Sequence, residues 1–121
     1  TLSERRRKRS PLRDVASMLR SFHYAAATAL RGEGVREQDL PVLLPWARAW
    51  VGWVGGEWLS AWLAEAGDAP FVPKNQTTLA RMLSFYLLEK SIYEVHYELN
   101  NRPDWLAIPL EGLAQLLAEE S

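Results

Sequence analysis

Apolar residues in this sequence recur at steps of three and four along most of the chain, which is the spacing of one face of an α-helix. The clearest example follows Ser10 and Pro11, and its apolar positions are Leu12, Val15, Leu19, Phe22, Ala26 and Leu30. Serine is a favoured helix cap and proline is favoured at the first helical position, so Ser10 and Pro11 predict the start of this helix. Gly32 and Gly34 predict its end. No stretch has a convincing β pattern, so the sequence predicts an all-α fold.

Proline and glycine divide the rest of the chain into three further helical segments. Pro41 and Pro45 place the regular part of the second helix after Pro45, or bend its first turn. Pro103 stops the third helix, and Pro109 opens the last one at a first helical position. The apolar face of that last helix is predicted to consist of Leu110, Leu113, Leu116 and Leu117. The four principal helices are predicted near 11–31, 45–66, 77–101 and 109–118.

The composition is that of a chain that can form a packed core. It has 121 residues, 48% of them apolar, which suffices for one small domain or part of a larger one. We predict a basic N-terminal segment at 1–10 and a single helical domain at 11–121. The absence of cysteine excludes disulfides and thiolate metal sites, which fits a cytoplasmic protein. No apolar run reaches the length of a membrane span.

Positive charge is concentrated at the start of the chain. Seven of the fourteen basic residues lie in the first twenty positions, and Arg5–Arg9 is an uninterrupted basic block. Such a block can bind nucleic acid or an anionic membrane. No aromatic residue interrupts it and no nucleic-acid-binding motif follows, so we interpret it as a solvated segment and predict neither partner.

The third predicted helix carries a polar and aromatic face near its C-terminal end. Lys90, Tyr93 and Tyr97 are spaced by three and then four residues, which places them on successive turns. Phenol rings can stack on sugar faces, and the hydroxyl and ammonium groups can form hydrogen bonds. The face therefore suits a polyhydroxylated ligand. The alternative is that both tyrosines are half-buried packing residues with hydrated hydroxyls.

Five of the six tryptophans are arranged with helical spacing in the second predicted helix. Trp46, Trp50 and Trp53 share one face of the second predicted helix, and Trp58 and Trp62 lie one turn apart further along. A platform for a carbohydrate or a cofactor is one interpretation. Aromatic residues at helical spacing are more often packing residues, and we predict packing here.

The sequence contains no convincing catalytic constellation. Glu94 and Glu98 are four residues apart, but paired carboxylates on a helix surface are usually solvated, and we predict that here. His23 and His96 lie on different predicted helices without metal-ligand spacing, so neither catalytic nor metal-binding residues are predicted. The glycine-rich segment 52–56 lacks the following lysine and hydroxyl residue of a phosphate-binding loop.

Two segments resemble one known family. Residues 10–26, from Ser10-Pro11-Leu12-Arg13-Asp14 onward, are similar to the helix that follows the metal-binding segment of bacterial maltokinases. Residues 89–105, with Asn101-Arg102-Pro103 near the end, are similar to the family's C-terminal helix. Maltokinases occur alone or fused behind trehalose synthase. The resemblance implies the C-terminal helical part of a kinase-like lobe, similar to that of aminoglycoside phosphotransferases.

The resemblance also implies an activity and several residue roles. Maltokinases use ATP and Mg²⁺ to convert maltose to maltose 1-phosphate for α-glucan synthesis. Their nucleotide lobe, His-x-Asp loop and Asp-Phe-Glu segment have no counterpart in these residues, so the chain alone is expected to be inactive and to bind no cofactor, as the C-terminal portion of such an enzyme. Lys90, Tyr93 and Tyr97 match positions that line the maltose pocket. Asp14 resembles a buried aspartate that accepts hydrogen bonds from the catalytic loop.

A second hypothesis belongs to a different class of protein. The chain would be a non-catalytic helical module that docks through its tryptophan-rich helix to a partner, such as trehalose synthase or another subunit. The two hypotheses differ in the residues that must lie upstream of Thr1, because only the kinase requires a His-x-Asp loop and an Asp-Phe-Glu segment there.

Overall fold

The structure, a computed structural model, describes residues 9–120. Most of the predicted basic N-terminal segment, including 5–8 of the basic block, lies outside the described residues, and Arg9 is exposed. The described part of the chain contains four α-helices and no strand, which confirms the all-α prediction. The helices are α1 (Leu12–Ala29), α2 (Leu40–Ala66), α3 (Gln76–Asn101) and α4 (Ala107–Glu120). Short 3-10 turns at Glu37–Asp39 and Pro103–Trp105 precede α2 and α4.

α1 is the central element, since it contacts all three other helices and lies between α2 and α3. Leu12 and Val15 of α1 are fully buried and meet Leu83 of α3. Partly buried side chains of α1, α2 and α3 surround this small core: Leu19, Trp58, Leu59, Trp62, Leu79, Met82 and Tyr86. α4 closes the other side of α3 with the buried residues Ile108 and Pro109.

The first helix begins one residue later than predicted. Pro11 occupies the capping position and α1 starts at Leu12. Ser10 still satisfies two early N–H groups, because its Oγ accepts from Leu12 N at 3.2 Å and its carbonyl accepts from Arg13 N at 3.0 Å. The prediction that Ser10 and Pro11 organise this end of the helix is therefore right, although the assigned boundary differs.

Of the two predicted possibilities for the start of the second helix, the one with the prolines inside the helix is observed, so the predicted range of 45–66 begins too late. α2 begins at Leu40, with Pro41 in its first turn and Pro45 inside the helix. Pro45 lacks the N–H that would bond to the carbonyl of residue 41 and its ring crowds that carbonyl, yet the helix continues through it. At the other end, Gly67 has a φ of 55° and donates its N–H to Leu63 O at 3.0 Å. A non-glycine residue rarely adopts that φ, so glycine suits this helix end.

The apolar face predicted for the last helix was partly wrong. α4 starts at Ala107, and Pro109 lies in its first turn, where an N–H has no intrahelical partner in any case. The helix turns Ile108, Pro109 and Gly112 inward and leaves Leu110 and Leu117 exposed. No helix within residues 9–120 combines the length and the apolar character needed to cross a bilayer.

Candidate functional site

Lys90, Tyr93 and Tyr97 form a stacked ladder along one face of α3. The two phenol rings lie 6.4 Å apart between centroids and are tilted by only 23°. Lys90 Nζ lies 4.9 Å from the centroid of the Tyr93 ring, within the range of a cation–π contact. Arg102 Cζ lies 5.5 Å from the Tyr97 ring at the opposite end. The ladder is therefore two aromatic rings between two cations.

Both tyrosines are about half exposed, which agrees with the half-buried packing alternative as well as with a binding face. Tyr93 is 58% exposed and Tyr97 is 42% exposed. Their main aromatic contact is with each other, so both keep hydroxyl groups and much ring surface available. Such exposed amphipathic rings are common where a polar ligand with apolar faces is bound.

The side chains of α1 form the opposite wall of a groove beside this ladder. Ser17, Ser21 and Tyr24 of α1 face the ladder across a space of about 330 Å³. Ser17 Oγ donates to Arg13 O at 3.1 Å and Ser21 Oγ donates to Ser17 O at 3.0 Å. Both hydroxyl protons are thus held by the helix backbone, so the two oxygens can serve a ligand as acceptors.

A smaller space of about 220 Å³ continues the groove toward the N-terminal end of α1. It shares Ser17, Lys90 and Tyr93 with the larger space and is also lined by Arg13 and Asp14. Asp14 is exposed there. The structure thus brings Asp14 and the Lys90 end of the ladder to one groove, although the sequence places them about 75 residues apart.

A buried charged cluster supports the floor of the groove. Arg20 Nε of α1 donates to Glu94 Oε1 of α3 at 2.7 Å, and both side chains are nearly inaccessible to solvent. Burial raises the pKa of Glu94, and the positive charge of Arg20 opposes that shift. Arg20 Nη1 lies 2.6 Å from His23 Nδ1. Burial and the Arg20 charge lower the pKa of His23, which favours a neutral ring that accepts from Arg20.

A second ion pair fixes the C-terminal end of the ladder. Glu98 is 1% exposed and receives Arg102 Nη2 at 2.6 Å and Nε at 3.2 Å. Arg102 Cζ also lies 4.0 Å from the Trp105 ring, which orients the guanidinium between Tyr97 and Trp105. Burial and then the charges of Glu94 and Glu98 raise the pKa of Tyr24 to about 12. The Tyr24 hydroxyl is therefore a proton donor at neutral pH.

The prediction that Glu94 and Glu98 are solvated was wrong, because both carboxylates are buried and paired. The signal in the sequence is the run Ser91, Glu94 and Glu98, which repeats at helical spacing beside the ladder and forms the inward face of this part of α3. Sequence reasoning also missed Arg20. An arginine on the mostly apolar face of α1 is the complementary signal, but the spacing does not identify its partner.

The tryptophans divide into two groups. Trp58 and Trp62 pack against the core as predicted. Trp46 and Trp53 are 73% and 71% exposed, so the packing interpretation was wrong for them, while Trp50 makes an edge contact with Phe22. Of the second-helix glycines, Gly55 alone is buried, and a Cβ placed there would lie 3.4 Å from Leu19.

The groove is equipped for recognition of a neutral polyhydroxylated molecule. It offers aromatic faces, hydroxyl acceptors, a phenol donor and an ammonium donor. Its volume is at the lower end of the range for small-molecule sites, about 300–1,000 Å³. Within the described residues, no three histidine, aspartate or glutamate side chains lie together as a metal-ion site. Compared with models of known protein families, the chain matches none.

Proposed function

We propose that the chain is the C-terminal, sugar-binding helical part of an ATP-dependent maltokinase, the enzyme class that converts maltose to maltose 1-phosphate. The observation that carries the proposal is the meeting of two distant segments. Residues 10–26 and 89–105 each resemble the family separately, and they form the two walls of one groove. Their meeting at one groove is what a shared sugar site requires.

In this proposal the groove holds the sugar and does not react with it. The exposed ring edges and hydroxyl groups of Tyr93 and Tyr97 contact the pyranose ring, and Lys90 donates hydrogen bonds to its hydroxyls. Ser17 and Ser21 accept from hydroxyl groups on the other side. ATP and Mg²⁺ would be held by the parent's other parts. The described residues do not fit a metal site, so no phosphoryl-transfer step is assigned to them.

Asp14 has a positioning role in the proposal. It lies in the first turn of α1, where the helix dipole favours a carboxylate, and it is exposed at the end of the groove. An exposed carboxylate at that position can accept N–H groups from a catalytic loop supplied by the rest of the parent.

The proposal predicts weak but localised maltose binding by the chain. In ¹⁵N NMR titrations, maltose should shift amide signals in 13–24 and 90–102 and leave α2 unaffected. Tyr97→Phe should weaken binding several-fold, because one neutral hydrogen bond contributes about 0.5–1.5 kcal/mol. Tyr97→Ala should weaken it more, because the ring surface is lost as well.

Leu99→Ala is the matched control, since Leu99 is exposed on the same helix but does not line the groove. It should leave maltose binding unchanged. In the full-length parent, Tyr97→Ala should raise the KM for maltose and leave the KM for ATP unchanged. Unchanged amide signals in the groove at saturating maltose, together with an encoding gene that lacks an upstream His-x-Asp loop and Asp-Phe-Glu segment, would contradict the proposal.

The exposed Trp46 and Trp53 favour the alternative of a non-catalytic interaction module. A module that docks to trehalose synthase or another subunit through α2 would lose that binding on substitution of these tryptophans. Substitutions in the groove would then leave partner binding intact. The two functions are therefore separated by comparing Tyr97→Ala with Trp53→Ala in sugar binding and in partner binding.

A further inference from the structure

The outward face of α2 carries a stripe of uncharged, mostly apolar residues from Val42 to Ser60, flanked on one side by the exposed Glu57. Its exposed positions are spaced by four and three residues in alternation, and we call them the outer stripe: Val42, Trp46, Ala49, Trp53, Gly56 and Ser60. An ordinary surface helix carries charged and polar residues on this side. The outer stripe has no charged residue and includes two tryptophans that are more than two-thirds exposed.

The packing of the domain does not account for the outer stripe. α2 contacts α1 through its other side, with Trp58 and Trp62 against the core and Gly55 against Leu19. Trp46 and Trp53 make no contact with another aromatic ring within residues 9–120. Large exposed apolar patches on proteins usually belong to interaction sites.

We propose that the outer stripe pairs with the outer stripe of a second copy of this chain, in an antiparallel helix pair. The reason is that the stripe is complementary to its own reverse. Val51 is equidistant from Trp46 and Gly56, from Ala49 and Trp53, and from Val42 and Ser60. A two-fold axis that crosses the stripe at the height of Val51 along the helix therefore places every large side chain of one helix opposite a small residue of the other.

This arrangement has the features of a self-complementary interface. Two-fold interfaces use the same patch on both subunits, and helices pack best when large residues interdigitate with small ones. Gly56 can receive the Trp46 indole of the second copy, because a Cβ at Gly56 would meet no atom within 4 Å. Gly52, on the edge of the stripe, has equally open space and lets the helices approach closely.

The exposed area is sufficient for a weak dimer. A tryptophan buries about 150–250 Å² when covered, so two that are mostly exposed supply roughly 200–350 Å². Val42, which is 66% exposed, and the small residues of the stripe add to this area on each subunit. An interface of this kind lies below the roughly 1,200 Å² of standard specific interfaces, so a weak, concentration-dependent dimer is expected.

A second exposed apolar surface, on α3 and α4, is the main competitor. It includes Phe85, Ile92 and Leu99 of α3 and Leu117 of α4. In an antiparallel pair of α3 helices centred on Ile92, the large side chain of Phe85 would lie opposite the large side chain of Leu99. This surface therefore lacks the large-to-small complementarity of the outer stripe.

Sedimentation velocity of the 121-residue chain between about 1 and 100 µM tests the proposal, because that range spans micromolar dissociation constants. The wild-type chain should shift from monomer to dimer. Gly56→Glu should weaken dimerisation at least about tenfold, because it puts an unpaired charge into the interface. It should not unfold the subunit, because the site is open and glycine is a poor helix former.

Ala61→Glu is the matched control, since it adds the same charge to an exposed position of α2 outside the stripe. It should keep the dimer, and so should Phe85→Glu on the competing surface. If the chain stays monomeric over this whole concentration range, the proposal is overturned. That holds also if the chain associates with a different protein but not with itself. A dimer abolished by Phe85→Glu but not by Gly56→Glu overturns it as well.

Engineered cysteines test the antiparallel register, because the sequence has none of its own. In the proposed pair, two copies of residue 49 are offset along the axis by about 6 Å, whereas two copies of residue 60 are about 27 Å apart. A short bismaleimide should therefore cross-link Ala49→Cys dimers and leave Ser60→Cys dimers unlinked. Efficient cross-linking at position 60 would show a parallel pair and overturn the proposed arrangement.

Discussion

Arg20 is the residue around which the charged interior is organised. Its guanidinium contacts Glu94 of α3 and His23 of its own helix, and it lies beside the backbone of Gly112 in α4. Arg20 Nη2 is buried and has no hydrogen-bond partner among the described residues. A buried charge is stable only when it is well paired, so the position of this side chain has little freedom.

Substitution of Gly112 by alanine should therefore destabilise the domain. A Cβ at Gly112 would lie 2.5 Å from Arg20 Nη1 and 2.9 Å from Cζ, so the guanidinium must move away from its partners. Weakening a buried charged contact costs about 1–3 kcal/mol, which exceeds the gain of about 1 kcal/mol in helix propensity. The measurement is the free energy of unfolding in urea.

Gly52→Ala is the matched control for Gly112→Ala. Gly52 also lies inside a helix, but a Cβ there would meet nothing within 4 Å. At a protein concentration where the chain is monomeric, it should stabilise the domain by about 0.5–1 kcal/mol, the usual advantage of alanine over glycine. If both variants were stabilised equally, the contact between Gly112 and Arg20 would have no energetic role.

The individual residues of the site differ in how far the sequence could predict them. Lys90, Tyr93 and Tyr97 share one face in the structure because helical spacing alone determines that relation. The Arg20–Glu94 pair joins residues 74 positions apart. Local periodicity contains no information on which helix faces which, so the burial of Glu94 could not be predicted from spacing.

At the scale of the elements, the local sequence pattern predicted that four helices exist. It did not predict which side of each helix is exposed. Proline was given too much weight at the start of α2, where the loss of one hydrogen bond is tolerated. The exposure of Leu110 and Leu117 depends on the angle at which α4 packs on α3, and that angle is a tertiary property. Apolar spacing therefore identified a helix without identifying its buried side.

The N-terminus of α3 offers a prediction at the scale of one element. Asn75 has the non-helical backbone of a cap, and its Oδ1 accepts from Thr77 N at 2.8 Å and from Thr78 N at 3.2 Å. Asn75→Ala should cost about 1 kcal/mol of unfolding free energy, whereas Asn75→Gly should cost only a few tenths. Urea unfolding of both variants measures this difference. Equal losses would mean that the capping hydrogen bonds do not stabilise α3.

At the scale of the whole molecule, α1 separates two surfaces with different proposed roles. The groove lies between α1 and α3, and the outer stripe is on the side of α2 that faces away from α1. Substitutions in one surface should therefore leave the other unchanged. The charged cluster around Arg20 connects α1, α3 and α4. Protonation of His23 or Glu94 in this cluster therefore affects the stability of the entire domain.

His23 should make the domain less stable in mild acid. Its pKa in the folded protein is below the usual value of 6.5, because of burial and the nearby Arg20 charge, with Glu111 opposing. The unfolded chain therefore binds the proton more readily. The contribution of His23 to stability is complete above pH 6.5, falls as the pH decreases below 6.5, and is lost below the folded pKa. Protonation would place two cations side by side where His23 Nδ1 now lies 2.6 Å from Arg20 Nη1.

The test compares the wild-type chain with His23→Gln by urea unfolding between pH 8 and pH 5. Glutamine can accept from Arg20 through its carbonyl oxygen but does not titrate, so its stability should fall less on acidification. Glu94 contributes a slope of the opposite sign, because its raised pKa makes the folded state bind the proton more readily. Glu94 is present in both chains, so the difference between the two curves isolates His23. If the unfolding free energies of the two chains changed with pH in parallel, protonation of His23 would not destabilise the folded domain.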